Sequence, residues 1–181
     1  MTTLLEKILA LDEALSTAEV PHAFGGALAL AYCVGDPRGT VDIDVNVFLA
    51  PDAVDEVLAA LPTEVTWDAS DRRLLLRDGQ ARLWWDRTPV DVFLSTTAFH
   101  EGAAERARDE QLAGRTIRVL ACEDLAVFKA FFARRKDWAD LEAMARVGSF
   151  DVERVLGVLT RHLGPDDPRV AKLLEVVDAP D

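Results

Sequence analysis

The sequence predicts an α+β fold. An amphipathic helix opens the chain, with Leu4, Leu5, Ile8, Leu11 and Leu15 keeping a 3.6-residue period across residues 2–18. Short stretches then alternate apolar and polar residues, most clearly over 41–47 and 89–94, as strands do. From Cys122 onward the pattern is helical. A chain of 181 residues, half of them hydrophobic, packs a core as one domain or as one domain with a small helical annex. The expected division is a core over 1–120 and a C-terminal helical segment over 121–181 packed on it.

Val20-Pro21 breaks the first helix and starts a strand to Phe24. His22 in that strand is read as a structural histidine ahead of a ligand. The strand runs into Gly25-Gly26 and then a small-residue helix from Ala27 to about Val34. Glycine lets a backbone approach a ligand closely. A helix N-terminus offers unpaired N–H groups and the positive end of a dipole to a phosphate. After a loop at 35–39, Val41, Ile43, Val45 and Val47 alternate with Asp42, Asp44 and Asn46. Asp42 and Asp44 therefore share one face of a strand, roughly 6.5 Å apart. Like charges that close raise each other's pKa unless a cation compensates, and Asp is depleted from strands. The pair thus marks a site. Two roles fit Arg38: reaching triphosphate oxygens or neutralising the acidic cluster. Thr40 orients a ligand or bonds to backbone.

A helix is expected from Ala50-Pro51-Asp52 through Leu61, with proline early and acids in its first turn. Residues 64–67, 72–77 and 80–86 read as short strands, with turns at 68–71 and 78–79. Trp84 and Trp85 are adjacent on a strand, so their rings point to opposite faces unless the chain bends between them. The stretch Pro89-Val90-Asp91-Val92-Phe93-Leu94 is a strand with one Asp. Placed beside the first, it brings Asp91 to Asp42 and Asp44. Three carboxylates suit Mg²⁺ or Mn²⁺, and two such ions about 4 Å apart clamp an in-line displacement. Thr96 or Thr97 caps a helix expected to reach about Glu110, on which His100 is incidental. Residues 114–120 form a last strand, placed at a sheet edge. A helix over 123–133 carries Lys129, and Arg134-Arg135-Lys136-Asp137 follows. Helical spacing puts Lys129, Ala133, Lys136 and Asp140 on one face if that helix is continuous. Helices over 151–163 and 168–177 complete the chain, and the tail 178–181 is expected to fray.

The order Gly25-Gly26, Arg38-Gly39-Thr40-Val41-Asp42-Ile43-Asp44 and Val90-Asp91-Val92 resembles the nucleotidyltransferase superfamily of DNA polymerase β type. Within it the wording resembles the small bacterial branch that includes AbiEii-type toxins and aminoglycoside nucleotidyltransferases. The superfamily's usual glycine-serine is glycine-glycine here, as is common in that branch. The resemblance implies a mixed sheet flanked by helices, dependence on Mg²⁺ (or Mn²⁺), and transfer of a nucleoside monophosphate from an NTP to a hydroxyl. It assigns Asp42, Asp44 and Asp91 to catalysis and metal binding, and Gly25, Gly26, Arg38 and Thr40 to the nucleotide. A fainter likeness over 123–141 assigns Lys129 to the triphosphate, supported by an aspartate. A toxin–antitoxin or resistance role goes with the branch. The rival is a non-catalytic antitoxin or scaffold module of the same fold, and a metal-dependent phosphohydrolase is a third reading.

A net charge of −12 repels nucleic acid at long range. This tilts the acceptor toward a small molecule or protein, with a tRNA end left open. Cys33 and Cys122 lie far apart and in no metal spacing, and are expected as buried or free thiols of a reducing compartment. Glu6, Asp12 and Glu13 argue against a secretory signal, and no apolar run is long enough to span a membrane. The expected location is the cytoplasm. No motif sets the oligomeric state or the NTP base.

Overall fold

The computed structural model describes residues 2–37 and 39–178. It has an α+β architecture, and its described residues form two compact units. One comprises those within 1–28 and 38–120. The other comprises those within 29–37 and 121–181.

The first unit opens with helix α1 (Leu4–Thr17). Thr3 accepts from the backbone N–H of Glu6, and the Glu6 carboxylate accepts from the backbone N–H of Thr3. This reciprocal cap satisfies two donors that the helix start leaves open. β1 (His22–Phe24) follows, and α2 (Gly26–Val34) begins two residues after it. The Asp-x-Asp stretch yields β2 (Ile43–Val47), shorter than the alternation predicts. Val41 is highly exposed instead of buried, and Asp42 stands just before the strand. A 3₁₀ turn (Pro51–Ala53) leads into α3 (Val54–Ala60), and β3 is only Val65–Thr66.

Residues 72–77 are not a strand. They lie in α4 (Ala69–Asp78). Both expected turns are helix caps: the Asp68 carboxylate accepts from the Ser70 and Asp71 N–H groups, and Gly79 closes the other end with φ 69°. Two good caps outweigh the three leucines at 74–76. β4 (Gln80–Trp85) and β5 (Thr88–Leu94) form a hairpin across Asp86-Arg87. Lys7 on α1 reaches this turn. Its ammonium is buried and donates to Trp85 O at 2.8 Å, Thr88 Oγ1 at 3.0 Å and Asp86 Oδ2 at 3.2 Å.

Helix α5 (Ala98–Arg106) ends earlier than the charge pattern predicts. Residues 108–110 belong to β6 (Arg108–Leu112), which pairs antiparallel with β7 (Arg115–Val119) through Ala113-Gly114. Both loop residues have positive φ, the geometry that suits a two-residue hairpin. The sheet order is β3-β4-β5-β2-β1-β7-β6. β7 is therefore internal and β6 takes the edge. The sheet is mixed: β2 runs parallel to β5 and β1 parallel to β7, the other pairs being antiparallel. Leu11, Leu15, Phe24, Val45, Leu75, Leu83, Val92 and Val119 are completely buried in this unit.

The second unit holds α6 (Cys122–Phe132), α7 (Arg135–Arg146), α8 (Val152–Leu163) and α9 (Pro168–Val177). α6 packs on α7, α8 and α9, and α9 also packs on α7 and α8. Ala126, Ala130, Leu141, Met144, Val155, Leu159 and Leu173 form their common core. The helix carrying Lys129 is not continuous with the next, because Ala133 adopts φ 53° and ends it. Cys33 and Cys122 are buried, as expected, but neither is a free thiol. They form a disulfide with Cα atoms 5.7 Å apart. Spacing along a chain does not reveal that two cysteines 89 residues apart meet in space. No described helix is long and apolar enough to cross a membrane. The tail expected to fray lies mostly outside the described residues.

Candidate active site

β1 pairs with β2 so that Phe24 faces Val45, and the Gly25 N–H donates to Asp44 O at 2.9 Å. The ladder therefore delivers the glycine pair to Asp44. A Cβ on Gly25 would lie 2.8 Å from Asn46 Nδ2. A Cβ on Gly26, whose φ is +52°, would lie 1.8 Å from Asp44 Oδ2 and 2.4 Å from its Cγ. The Asp44 carboxylate thus rests in the space that only glycine leaves at the start of α2. The glycine pair has a steric cause here: a side chain at position 26 would collide with Asp44, and one at position 25 would crowd Asn46.

β2 and β5 are parallel neighbours, and Asp44 is the register partner of Asp91. Directly paired residues share a sheet face, with backbones about 4.8 Å apart. The antiparallel register of β4 on β5 then pairs Arg82 with Asp91. Arg82, Asp91 and Asp44 make one polar row across three strands. Nε and Nη2 of Arg82 each donate to one oxygen of Asp91 at 2.7 Å, and Nη2 lies 4.0 Å from Asp42 Oδ2. The hydrogen bonds to Asp91, with the charges of Asp91, Asp42 and Asp44 behind them, raise the guanidinium above its usual value against partial desolvation. Thr40 orients Asp42: its hydroxyl donates to Asp42 Oδ1 at 2.5 Å. Both Asp42 and Asp44 have further interactions besides these.

The structure thus brings together Asp42, Asp44, Asp91, Thr40, Gly25 and Gly26. Arg38 lies outside the described residues. Lys129 belongs to the helical unit, where its buried ammonium donates to Asp140 Oδ2 at 2.7 Å and lies 3.9 Å from Asp137 Oδ1. Asp137 is fully buried and also accepts from the Arg134 backbone N–H and guanidinium. The donor set of three carboxylates fits a hard divalent cation. As the side chains stand, no three His, Cys, Asp or Glu groups converge on one point among the described residues. The Arg82 guanidinium bridges Asp91 and Asp42 instead.

Two participants escape the sequence pattern. Arg82 was legible in principle: a two-residue loop at Asp86-Arg87 pairs Trp85 with Thr88 and hence Arg82 with Asp91. His100 is not incidental. It is buried, Nε2 lies 3.2 Å from Asn46 Oδ1, and its ring meets Phe48 edge-on at 6.0 Å. Burial pulls its pKa down to about 4. Asn46 continues the polar column of Asp42 and Asp44 and abuts Gly25, so His100 braces the glycine turn from behind. His22 is structural, held by Val20 O at 2.9 Å and Asp12 Oδ1 at 3.2 Å. Of the adjacent tryptophans, Trp85 is buried and Trp84 is exposed.

The mixed sheet flanked by helices has the fold of solved nucleotidyltransferases. The chain is similar to the antibiotic-resistance factor ANT(2'')-Ia in its solution structure, with 18% identity, 96% of each chain covered and a TM-score of 0.64. It is also similar to the crystal structure of ANT(2'')-Ia in complex with adenylyl-2''-tobramycin, with 20% identity over 89% of this chain and 95% of that one and a TM-score of 0.58. An antigenic nucleotidyltransferase-like protein from Paracoccidioides brasiliensis gives 15% identity, 93% and 89% coverage and a TM-score of 0.52. No family model and no curated protein matches the chain.

Proposed function

We propose that the protein is a divalent-metal-dependent nucleotidyltransferase that moves a nucleoside monophosphate from an NTP to the hydroxyl of a small molecule. The observation that carries this is the register of Asp44 on Asp91, with the Asp44 carboxylate seated in the Gly26 cradle at the start of α2. Asp42 and Asp44 would hold the ion, with Thr40 fixing Asp42, and Asp91 would hold a second. A bound divalent ion supplies charge neutralisation at the donor phosphates. Gly25, Gly26 and the N–H groups of the first turn of α2 grip phosphate oxygens. Asp91 takes the proton as the acceptor oxygen bonds to the α-phosphorus and the bond from that phosphorus to the leaving pyrophosphate breaks. Arg38 carries the role the family resemblance gives it, on the triphosphate. Acceleration then rests on positioning and electrostatics.

The acidity of the chain supports a small acceptor over a tRNA. So does the likeness to ANT(2'')-Ia, whose complex holds an adenylylated tobramycin. That likeness supports the resistance-type side of the branch over the toxin side, and ATP as the donor to test first. The test is thermal unfolding with Mg²⁺ or Mn²⁺ and each of the four NTPs, for wild type and Asp44→Asn. A nucleotide at 100 times its Kd adds about 2.7 kcal/mol, a rise on the order of 5–10 °C for a chain this size. A metal-dependent rise absent from Asp44→Asn supports the proposal. Equal rises in both proteins would remove it.

A further inference from the structure

Arg82 is a charged side chain at the carboxylate row with no role in the transfer just proposed. Its engagement is complete: both Asp91 oxygens are taken at 2.7 Å, and Asp42 lies within 4.0 Å of the same guanidinium. A carboxylate bonded through both oxygens to an arginine is a weaker proton acceptor and metal ligand, because the guanidinium engages one lone pair on each oxygen and its positive charge favours the ionised carboxylate and repels a second cation. The arginine is half exposed while Asp91 is mostly buried, at 51% and 15% side-chain exposure. The guanidinium can therefore swing toward solvent, whereas Asp91 is held by its strand.

We infer that Arg82 is an exchangeable internal cation: it occupies the Asp91 side of the carboxylate row in the resting site and leaves Asp91 when a divalent ion binds. Arg82 is a positioning residue that governs cation entry at the row. The inference rests on the metal-dependent reading above, and the experiment separates the two.

The experiment is titration of the nucleotide-free protein with Mn²⁺ alone, read by calorimetry and by loss of the free-ion electron paramagnetic resonance signal. The proteins are wild type, Arg82→Gln, Asp91→Asn, Asp44→Asn and the double variant Arg82→Gln/Asp91→Asn. An ion pair of this exposure is weak, so its release shifts affinity modestly. Arg82→Gln should bind Mn²⁺ about five- to tenfold more tightly than wild type. Because Arg82 acts through Asp91, the gain should vanish when Asp91→Asn is the background. A side chain that only stabilised the fold would leave Mn²⁺ affinity unchanged or weaken it on removal, and either result overturns the inference while Asp44-dependent binding keeps the metal reading intact. Absence of Mn²⁺ binding from wild type and Arg82→Gln alike overturns both. Binding by Arg82→Gln but not by wild type supports the inference in its strongest form.

Discussion

Gly26→Ala isolates the cradle. Two separate costs fall on it. The backbone at position 26 has φ +52°, where an L-residue loses about 1–2 kcal/mol relative to glycine. The added methyl would then stand 1.8 Å from Asp44 Oδ2 and 2.9 Å from its Cβ, so either the carboxylate turns away or the start of α2 shifts. Forced overpacking of that kind costs roughly 1–3 kcal/mol. The sum is about 2–5 kcal/mol, or a fall in Tm on the order of 5–15 °C. Gly114→Ala is the matched control, because Gly114 has φ +81° and nothing within 4 Å of its missing Cβ. It carries the conformational cost alone, about 1–2 kcal/mol. The assay is thermal unfolding of both variants with and without Mn²⁺ and nucleotide. Gly26→Ala should be the less stable of the two and should lose the metal-dependent nucleotide shift, which Gly114→Ala should keep. Equal stability of the two variants, with the shift retained in both, would refute the steric reasoning.

Three further outcomes follow from single features. His100 has a folded pKa of about 4 against an ordinary value of about 6.5, so the unfolded chain takes up the proton first on acidification. The stability its burial permits is full above about pH 6.5 and falls away as the pH drops toward 4, by about 3 kcal/mol at most. His100→Gln should flatten that part of the Tm–pH profile, and an unchanged profile would count against burial of the neutral ring. The disulfide should leave neither Cys33 nor Cys122 open to alkylation in denatured, unreduced protein, and Cys33→Ser should lower stability by about 2–4 kcal/mol in thermal unfolding. Lys7→Met keeps the stem but strips the ammonium from Trp85 O and Thr88 Oγ1. It should cost about 1–3 kcal/mol by thermal unfolding without changing Mn²⁺ affinity.

The Asp42–Asp44 and Gly25–Gly26 pairs were visible in the sequence because each acts within two residues, where strand periodicity or backbone freedom decides the outcome. Asp91 was visible by its isolation in an apolar strand, but its exact partner waited on the β2–β5 register. Arg82 does not stand out in the sequence because its meaning comes from a cross-strand pair, which a list of residues does not display. α4 reads as a strand between turns in the sequence because Asp68 and Gly79 serve turns and helix caps equally well. The sequence extends α5 beyond Arg106 because charges spaced three and four apart suit a helix surface, while the successive charges of Arg108, Asp109 and Glu110 suit an edge strand as well. The disulfide and the His100–Asn46 contact are long-range meetings, which no local pattern encodes.

The two ends of the sheet bear on how copies of this protein behave when crowded together. An edge strand offers unpaired backbone donors and acceptors to any neighbouring molecule, and a long apolar edge invites stacking into fibrils. Here one edge, β3, is two residues long, too short to template a partner. The other, β6, carries Arg108, Asp109 and Glu110 in succession, so a second copy adding in antiparallel or parallel alignment meets charge on both faces. Concentrated samples should therefore resist β-type aggregation from the native state, and precipitation on heating should follow unfolding instead of preceding it.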